Sequence, residues 1–266
     1  MSKWTVTKIK AMKGTQKISC LTAYDYTMAR LVDQAGIQLV LVGDSLAMTM
    51  LGYSTTLPVT MEEMLHHTRA VARGVKEALV VADMPFMSYH VTPSQAVKNA
   101  GVFIKAAGAD AVKVEGGRFR VPAVRALVAN GIPVLGHIGL TPQSIRAMGG
   151  YKVQGKKPDE AQGLIDDAIA LEKAGVFAIV LECVPKTLGR EITRAVGVPT
   201  IGIGAGPHCD GQILVIHDML GFVCDDAPKL TFVKRYAGLG AAASRAIRKY
   251  RLDIENGRFP NRAQSF

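Results

Sequence analysis

Short apolar runs alternate with longer segments of helical periodicity along the whole chain. Each run is almost continuously hydrophobic and rich in β-branched residues. Runs of this kind are typical of strands in a parallel sheet that is covered on both faces. The pattern predicts eight strands, at residues 18–23, 39–42, 79–82, 111–114, 133–136, 179–181, 200–203 and 213–216.

The segments between these runs carry the start and stop signals of helices. Thr60 can cap the first turn of one helix, and Gly108 and Gly175 follow the last turns of two others. These signals predict helices at residues 61–76, 94–107, 122–130 and 159–174.

Strands and helices in alternation over 266 residues indicate an α/β protein. Eight such units fit one (β/α)8 TIM barrel over residues 1–266, with a short N-terminal extension and a C-terminal tail. The alternative is a doubly wound open sheet, but the Gly-rich phosphate-binding turn common in that fold does not follow the first strand.

Composition and charge narrow the functional classes. Hydrophobic residues make up 48% of the chain, yet no stretch approaches the roughly 20 apolar residues of a membrane helix. The lysine-rich start is not followed by the apolar segment of a secretory signal, so we expect a soluble cytoplasmic protein. The net charge of +10 is dispersed and only 6% of residues are aromatic, which argues against nucleic-acid binding.

The four cysteines form no CxxC pair. We expect small buried side chains in a reducing compartment, with a zinc site or a disulfide framework as the alternative. The four are Cys20, Cys183, Cys209 and Cys224.

Polar or ionisable side chains follow seven of the eight predicted strands, and glycines follow the other. The carboxyl ends of all strands meet at one mouth of a barrel, where catalytic residues lie. One aspartate after a strand can simply cap the next helix. Several carboxylates at one mouth repel each other unless a positive charge holds them. The residues are Tyr24 with Asp25, Asp44 with Ser45, Asp83, Lys113 with Glu115, His137, Glu182, and His217 with Asp218.

Asp44, Asp83 and Glu115 are the residues that we expect around a metal. Ligation by carboxylate oxygens suits a hard cation, Mg2+ before Zn2+. Lys113 and Glu115 lie two apart on one strand and therefore point to the same side. Lys113 is expected to pair with a substrate carboxylate, and an internal salt bridge with Glu115 or Asp83 is the alternative.

Glu182 and His137 are the candidates for proton transfer and substrate binding. A carboxylate in the apolar surroundings of the sixth strand is a stronger base than one in water, which suits abstraction of a proton next to a carbonyl. A structural carboxylate is the alternative. His137 could donate a hydrogen bond to a substrate or an enolate, or it could be a satisfied core histidine.

Nine short motifs, in order and over nearly the whole chain, resemble those of ketopantoate hydroxymethyltransferase. Each motif alone is short, but nine in the family's order are specific. The motifs are VGDSL at residues 42–46, TLPVT at 56–60, ADMPF at 82–86, VKVEGG at 112–117, GHIGLTPQ at 136–143, GGYKVQG at 149–155, LECVP at 181–185, IGIGAG at 201–206, and CDGQ at 209–212 followed by His217 and Asp218.

The resemblance implies a hydroxymethyltransferase on a barrel of the phosphoenolpyruvate/pyruvate type. Its substrates would be 3-methyl-2-oxobutanoate (α-ketoisovalerate) and 5,10-methylenetetrahydrofolate, and its product would be ketopantoate, on the route to pantothenate and coenzyme A. It further implies Mg2+ and a cytoplasmic homo-oligomer, usually a decamer. At the matching positions it implies Mg2+ ligation by Asp44, Asp83 and Glu115, keto-acid contacts from Asp44, Ser45, Asp83 and Lys113, and Glu182 as the proton-abstracting base.

Two other functions fit parts of the same pattern. The first is a magnesium enzyme of the phosphoenolpyruvate mutase or isocitrate lyase type, but a lyase would carry a reactive cysteine on a flexible loop, and Cys183 directly follows a strand. The second is a non-catalytic barrel that binds folate or an anion, but such a protein would have lost its base or a metal ligand. One departure from the family is Ala47, where glycine is usual, and a positive φ there would strain the loop after Ser45.

Overall fold

Eight parallel strands close into a barrel in the computed structural model, which describes residues 3–222 and 230–266. The chain divides into two compact units, Met1–Leu214 and Val215–Phe266, and the barrel belongs to the first. Strands that are neighbours along the chain are neighbours in the barrel, and the last strand closes it against the first. The strands are β1 Ile18–Thr22, β2 Leu39–Val42, β3 Leu79–Asp83, β4 Ala111–Glu115, β5 Val134–Gly139, β6 Ala178–Glu182, β7 Thr200–Ile203 and β8 Gly211–Leu214.

The first-unit helices are α1 Val6–Ala11, α2 Tyr26–Gln34, α3 Leu46–Thr49, α4 Met61–Gly74, α5 Pro93–Ala107, α6 Val121–Ala129, α7 Ile145–Met148, α8 Pro158–Ala174 and α9 Lys186–Ala195. The first of them precedes β1 and the others lie between strands, where α2, α4, α5, α6, α8 and α9 contact one another in that order. The second unit contains α10 Ile216–Leu220 and α11 Leu239–Glu255. Single 3-10 turns lie at Arg118–Arg120, Pro142–Ser144 and Arg262–Gln264.

The predicted TIM barrel is confirmed, and six of the eight strands differ from the prediction by one to three residues at one or both ends. Two of these differences matter for the candidate site residues. β5 extends to Gly139, so His137 lies inside the strand and does not follow it. β8 ends at Leu214, two residues early, because its register against β1 pairs Ile18 with Gly211 and Leu21 with Leu214. The prediction that His217 and Asp218 end a strand is therefore wrong, since both lie in α10 of the second unit.

The predicted helix boundaries agree with the structure to within two residues, because the capping residues that define them are used. Thr60 and Glu63 form a reciprocal capping box at the start of α4. Gly108 and Gly175 end α5 and α8 in the left-handed conformation, with φ of 77° and 101°.

The barrel interior is apolar at the end where the strands begin. Ile9 and Met12, at α1, belong to one buried cluster with the first residues of several strands, including Ile18 and Leu39. Asp210 anchors the same end, because its carboxylate accepts hydrogen bonds from Lys13 Nζ at 2.9 Å and from the backbone N–H of Thr200 at 2.8 Å. Because the end where the strands begin is filled, polar side chains can form a site at the other end of the barrel, where the strands end.

The cysteines differ in burial, and the helices can be checked for membrane-spanning length. Cys20 and Cys209 are buried, as expected, whereas Cys183 is partly exposed and Cys224 lies outside the described residues. Within the described part of the chain, no helix combines the length and apolar character needed to cross a membrane.

Candidate active site

Three carboxylates from neighbouring strands meet at the mouth of the barrel. Asp44 lies two residues after the end of β2, Asp83 is the last residue of β3 and Glu115 is the last residue of β4. One oxygen of each lies within 4.8 Å of those of the other two, and all three residues are buried. The backbone N–H of Asp44 donates to Asp83 Oδ2 at 3.1 Å, which ties the first two residues together.

Lys113 supplies a positive charge inside this cluster. Its Nζ lies 2.9 Å from Asp83 Oδ1 and 3.1 Å from Glu115 Oε1, so Lys113 and Glu115 do point to the same side of β4. The internal salt bridge considered as the alternative for Lys113 is therefore present in the structure. The same ammonium stands beside the metal-binding candidates, where it can also meet a bound carboxylate.

The charges of the cluster are unequally distributed. Burial and the neighbouring Asp83 and Glu115 raise the pKa of Asp44 well above its usual range. Burial also raises the pKa of Asp83, although Lys113 partly offsets it. For Glu115 burial is outweighed by Lys113 and by His137, and its pKa falls to about 2. The cluster thus places three buried carboxylates around one lysine, and the three could hold a metal ion.

His137 links this cluster to Glu182. Its Nδ1 lies 3.4 Å from Glu115 Oε1, and its Nε2 lies 3.2 Å from Glu182 Oε2. Burial and Lys113 alone would lower the pKa of His137, but hydrogen bonds with the two glutamates raise it to about 9. The ring lies between the two carboxylates, and they favour its protonated form.

Glu182 is the more accessible of the two glutamates. Its side chain is 16% exposed, whereas that of Glu115 is 2% exposed. Glu182 is thus partly open to solvent, whereas its apolar neighbours Leu181 and Val184 are buried. Its backbone lies against β5, where an added Cβ at Gly139 would overlap the Glu182 carbonyl oxygen. The glycine allows the two strands to approach closely beside the candidate base.

Ser45 and Tyr24 form a pair beside the carboxylates. The Oγ of Ser45 lies 2.7 Å from the hydroxyl of Tyr24. The next residue but one, Ala47, lies in α3, and among the described non-glycine residues positive φ occurs at Met87 and Cys183, so Ala47 carries no such strain. Asp25 has the simpler structural role, because its side chain caps α2.

Cys183 directly follows Glu182 and has a strained backbone, with φ of 48°. Burial and the neighbouring Glu182 raise the pKa of its thiol to about 11. The thiol is therefore protonated at neutral pH and is a poor nucleophile.

Two residues without a role in the sequence-based interpretation belong to the site. The side chain of Gln143 donates to Asp44 Oδ2 at 3.0 Å, and the hydroxyl of Tyr89 donates to Gln143 Oε1 at 2.7 Å. Gln143 is the last residue of the GHIGLTPQ motif and lies four residues after the end of β5. This position near a strand end is the sequence signal that could have marked it as a site residue. Tyr89 lies in a loop without such a signal.

Comparisons with known proteins agree with the sequence motifs. The family described as ketopantoate hydroxymethyltransferase matches residues 3–262. A protein of Moorella thermoacetica named 3-methyl-2-oxobutanoate hydroxymethyltransferase is 55% identical over 266 residues, which cover 100% of this chain and 98% of that protein. A Syntrophobacter fumaroxidans protein of the same name is 57% identical, over 98% of this chain and 92% of its own.

A solved structure supports the fold alone. The crystal structure of 2,3-dimethylmalate lyase, a PEP mutase/isocitrate lyase superfamily member, has a TM-score of 0.62 to this chain at 16% identity. The match covers 98% of this chain and 91% of that one. The barrel fold is thus shared with a member of the PEP mutase/isocitrate lyase superfamily, and the sequence relationship, not the fold, separates the two families.

Proposed function

Because the chain belongs to the ketopantoate hydroxymethyltransferase family, we propose that its buried carboxylate cluster is the active site for ketopantoate formation. The substrates are 3-methyl-2-oxobutanoate and 5,10-methylenetetrahydrofolate. The observation that carries the proposal is the convergence of Asp44, Asp83 and Glu115 within 4.8 Å at the barrel mouth. A cytoplasmic homodecamer is part of the proposal by family resemblance.

The donor set fits Mg2+. All three candidate ligands are carboxylates, which hard cations prefer, and the raised pKa of Asp44 reflects negative charge that a divalent cation would balance. Asp44, Asp83 and Glu115 would hold the ion. When bound, it would supply a Lewis acid that polarises the keto group of the substrate.

The remaining residues bind the keto acid and move its proton. Lys113 attracts the carboxylate of the substrate, and Ser45 offers a hydroxyl beside Asp44. Glu182 takes the proton from C3, which becomes more acidic as the adjacent carbonyl is polarised. His137, whose Nε2 lies 3.2 Å from Glu182 Oε2, holds the base in place. Once Glu182 has taken the proton, that N–H is the donor for the developing enolate.

The enolate carbon then attacks the methylene carbon of the folate. The C3–H bond breaks, the new C3–CH2 bond forms, and both bonds from the methylene to the two folate nitrogens break. One water supplies the hydroxyl of the product, and tetrahydrofolate leaves with the proton from C3 and the remaining proton of the water. No covalent bond to the protein is required, in agreement with the protonated thiol of Cys183.

Product formation tests the proposal. The protein is incubated with both substrates and Mg2+, and ketopantoate is followed by mass spectrometry beside a Glu182→Gln variant. Folate-dependent product in the wild type alone is expected. Turnover of phosphoenolpyruvate or isocitrate in place of ketopantoate formation would instead favour the mutase and lyase alternative.

A further inference from the structure

Gln143 ties together two of the three carboxylates of the candidate metal site. Its Nε2 donates to Asp44 Oδ2 at 3.0 Å and to the Met84 carbonyl oxygen at 2.9 Å. Its backbone N–H donates to Glu115 Oε2 at 3.0 Å. Gln143 is 4% exposed, so bulk water does not compete for the donors and acceptors of these hydrogen bonds.

Tyr89 determines which way the Gln143 amide faces. Its hydroxyl donates to Gln143 Oε1 at 2.7 Å and accepts from the backbone N–H of Glu115 at 3.1 Å. An amide donates only from its nitrogen and accepts only at its oxygen. A flipped amide would point its oxygen at two other acceptors, the Asp44 carboxylate and the Met84 carbonyl. Tyr89 therefore stabilises the orientation in which Gln143 donates to Asp44.

The side chain that donates to Asp44 is the uncharged amide of Gln143, so it adds no positive charge to the carboxylate cluster. Lys113 already pairs with Asp83 and Glu115. A second cation in place of Gln143 would cancel negative charge that a divalent metal needs. The Gln143 amide occupies Oδ2 of Asp44 without adding a positive charge, so that Oδ1 remains for a cation.

We propose that Gln143, oriented by Tyr89, is a positioning residue that presents Asp44 and Glu115 to the divalent cation. The inference rests on the proposed function, because it assumes that the carboxylate cluster binds Mg2+. Groups that orient metal ligands by hydrogen bonds contribute about 10- to 100-fold to metal affinity or activity. Neither Gln143 nor Tyr89 has to touch the metal or the substrate for this effect.

Mn2+ binding to the substrate-free protein, followed by the electron paramagnetic resonance signal of the free ion, tests the inference. We compare the wild type with Gln143→Ala and Tyr89→Phe. Gln162→Ala is the matched control, because Gln162 Nε2 also donates to a carboxylate, that of Asp166 at 2.8 Å, but on an exposed helix face. The dissociation constant for Mn2+ is expected to rise about 10- to 100-fold in the two site variants and to stay unchanged in the control.

A second readout separates positioning from a general structural defect. With saturating substrates, the Mg2+ concentration for half-maximal rate should rise in both site variants, while kcat at saturating Mg2+ recovers towards the wild-type value. A structural defect would lower kcat at every Mg2+ concentration, and that result would overturn the inference. Tyr89→Phe removes a single oxygen and carries the test if circular dichroism shows that Gln143→Ala does not fold.

The outcomes also separate this inference from the proposed function. If the wild type binds Mn2+ and Tyr89→Phe binds it equally well, the positioning role is overturned and the proposed function stands. If the wild type itself binds no Mn2+, the metal dependence in the proposed function fails together with the inference.

Discussion

The imidazole of His137 lies 3.2 Å from the carboxylate of Glu182 through Nε2, and its Nδ1 lies 3.4 Å from Glu115. One side chain thus connects the candidate base to a candidate metal ligand. His137 lies in β5, so the position of the Glu182 carboxylate depends on a strand whose side chain also contacts Glu115.

Replacement of His137 by alanine should therefore impair catalysis without a direct change to the base. We expect kcat to fall about 10- to 100-fold, because Glu182 loses the group that orients it. Steady-state rates at saturating substrates measure the effect, and His66→Ala, on the exposed face of α4, is the control. An unchanged kcat would show that Glu182 does not depend on His137.

Lys113→Met should make folding depend on divalent cations. Removal of one partner of a buried ion pair destabilises proteins by roughly 3–5 kcal/mol, and the variant leaves three buried carboxylates without their lysine. Mg2+ should restore part of the loss by binding to the folded state. Urea unfolding with and without Mg2+ measures both effects.

Lys157→Met is the control for that experiment. Its pair with Glu160 is exposed, at 3.5 Å, and should contribute at most about 1 kcal/mol. Equal destabilisation of Lys113→Met with and without Mg2+ would contradict the account of the cluster charge.

Asp210→Asn should reduce stability at neutral pH and much less in acid. Burial alone would raise the pKa of Asp210, but hydrogen bonds from Thr200, Lys13 and Gly14 lower it below its usual value. A lowered pKa in the folded state stabilises the protein above the unfolded pKa of about 3.9, and the contribution is lost as the pH falls through the folded pKa. Urea midpoints at neutral and acidic pH measure the difference between wild type and variant. A difference that does not shrink in acid would contradict this assignment.

Gly139→Ala should be more destabilising than Gly131→Ala. Both glycines have positive φ, at 92° and 75°, so both variants carry the backbone strain of roughly 1–2 kcal/mol. An added Cβ at Gly139 would also overlap the Glu182 carbonyl oxygen, whereas nothing lies within 4 Å of one at Gly131. The difference in thermal stability between the two variants measures the contribution of the steric overlap at Gly139. Equal losses of stability would show that the close approach of β5 and β6 is relieved at little cost.

The barrel and the meeting of the carboxylates could be predicted from the sequence for one physical reason. In a closed parallel barrel all strand ends converge, so Asp44, Asp83 and Glu115 meet whatever the loops between them do. The end of β8 could not be placed in this way, because the apolar residues 213–216 run without interruption from the strand into α10.

The contributions of Gln143 and Tyr89 could not be predicted either. Both come from segments outside the strands, and hydrophobic periodicity does not show which polar loop side chain turns inwards. The ring of His137 could be placed at the mouth, but its two simultaneous contacts depend on the register of β5 with β4 and β6.

Exchange of the C3 proton of 3-methyl-2-oxobutanoate in D2O tests the central claim most directly. The substrate is incubated with the protein and Mg2+, with and without tetrahydrofolate, and its C3 proton is followed by NMR beside the Glu182→Gln variant. The account predicts exchange in the wild type that EDTA abolishes and that the variant lacks. If the wild type shows no exchange even with tetrahydrofolate present, Glu182 is not the base of a metal-assisted enolisation and the account is contradicted.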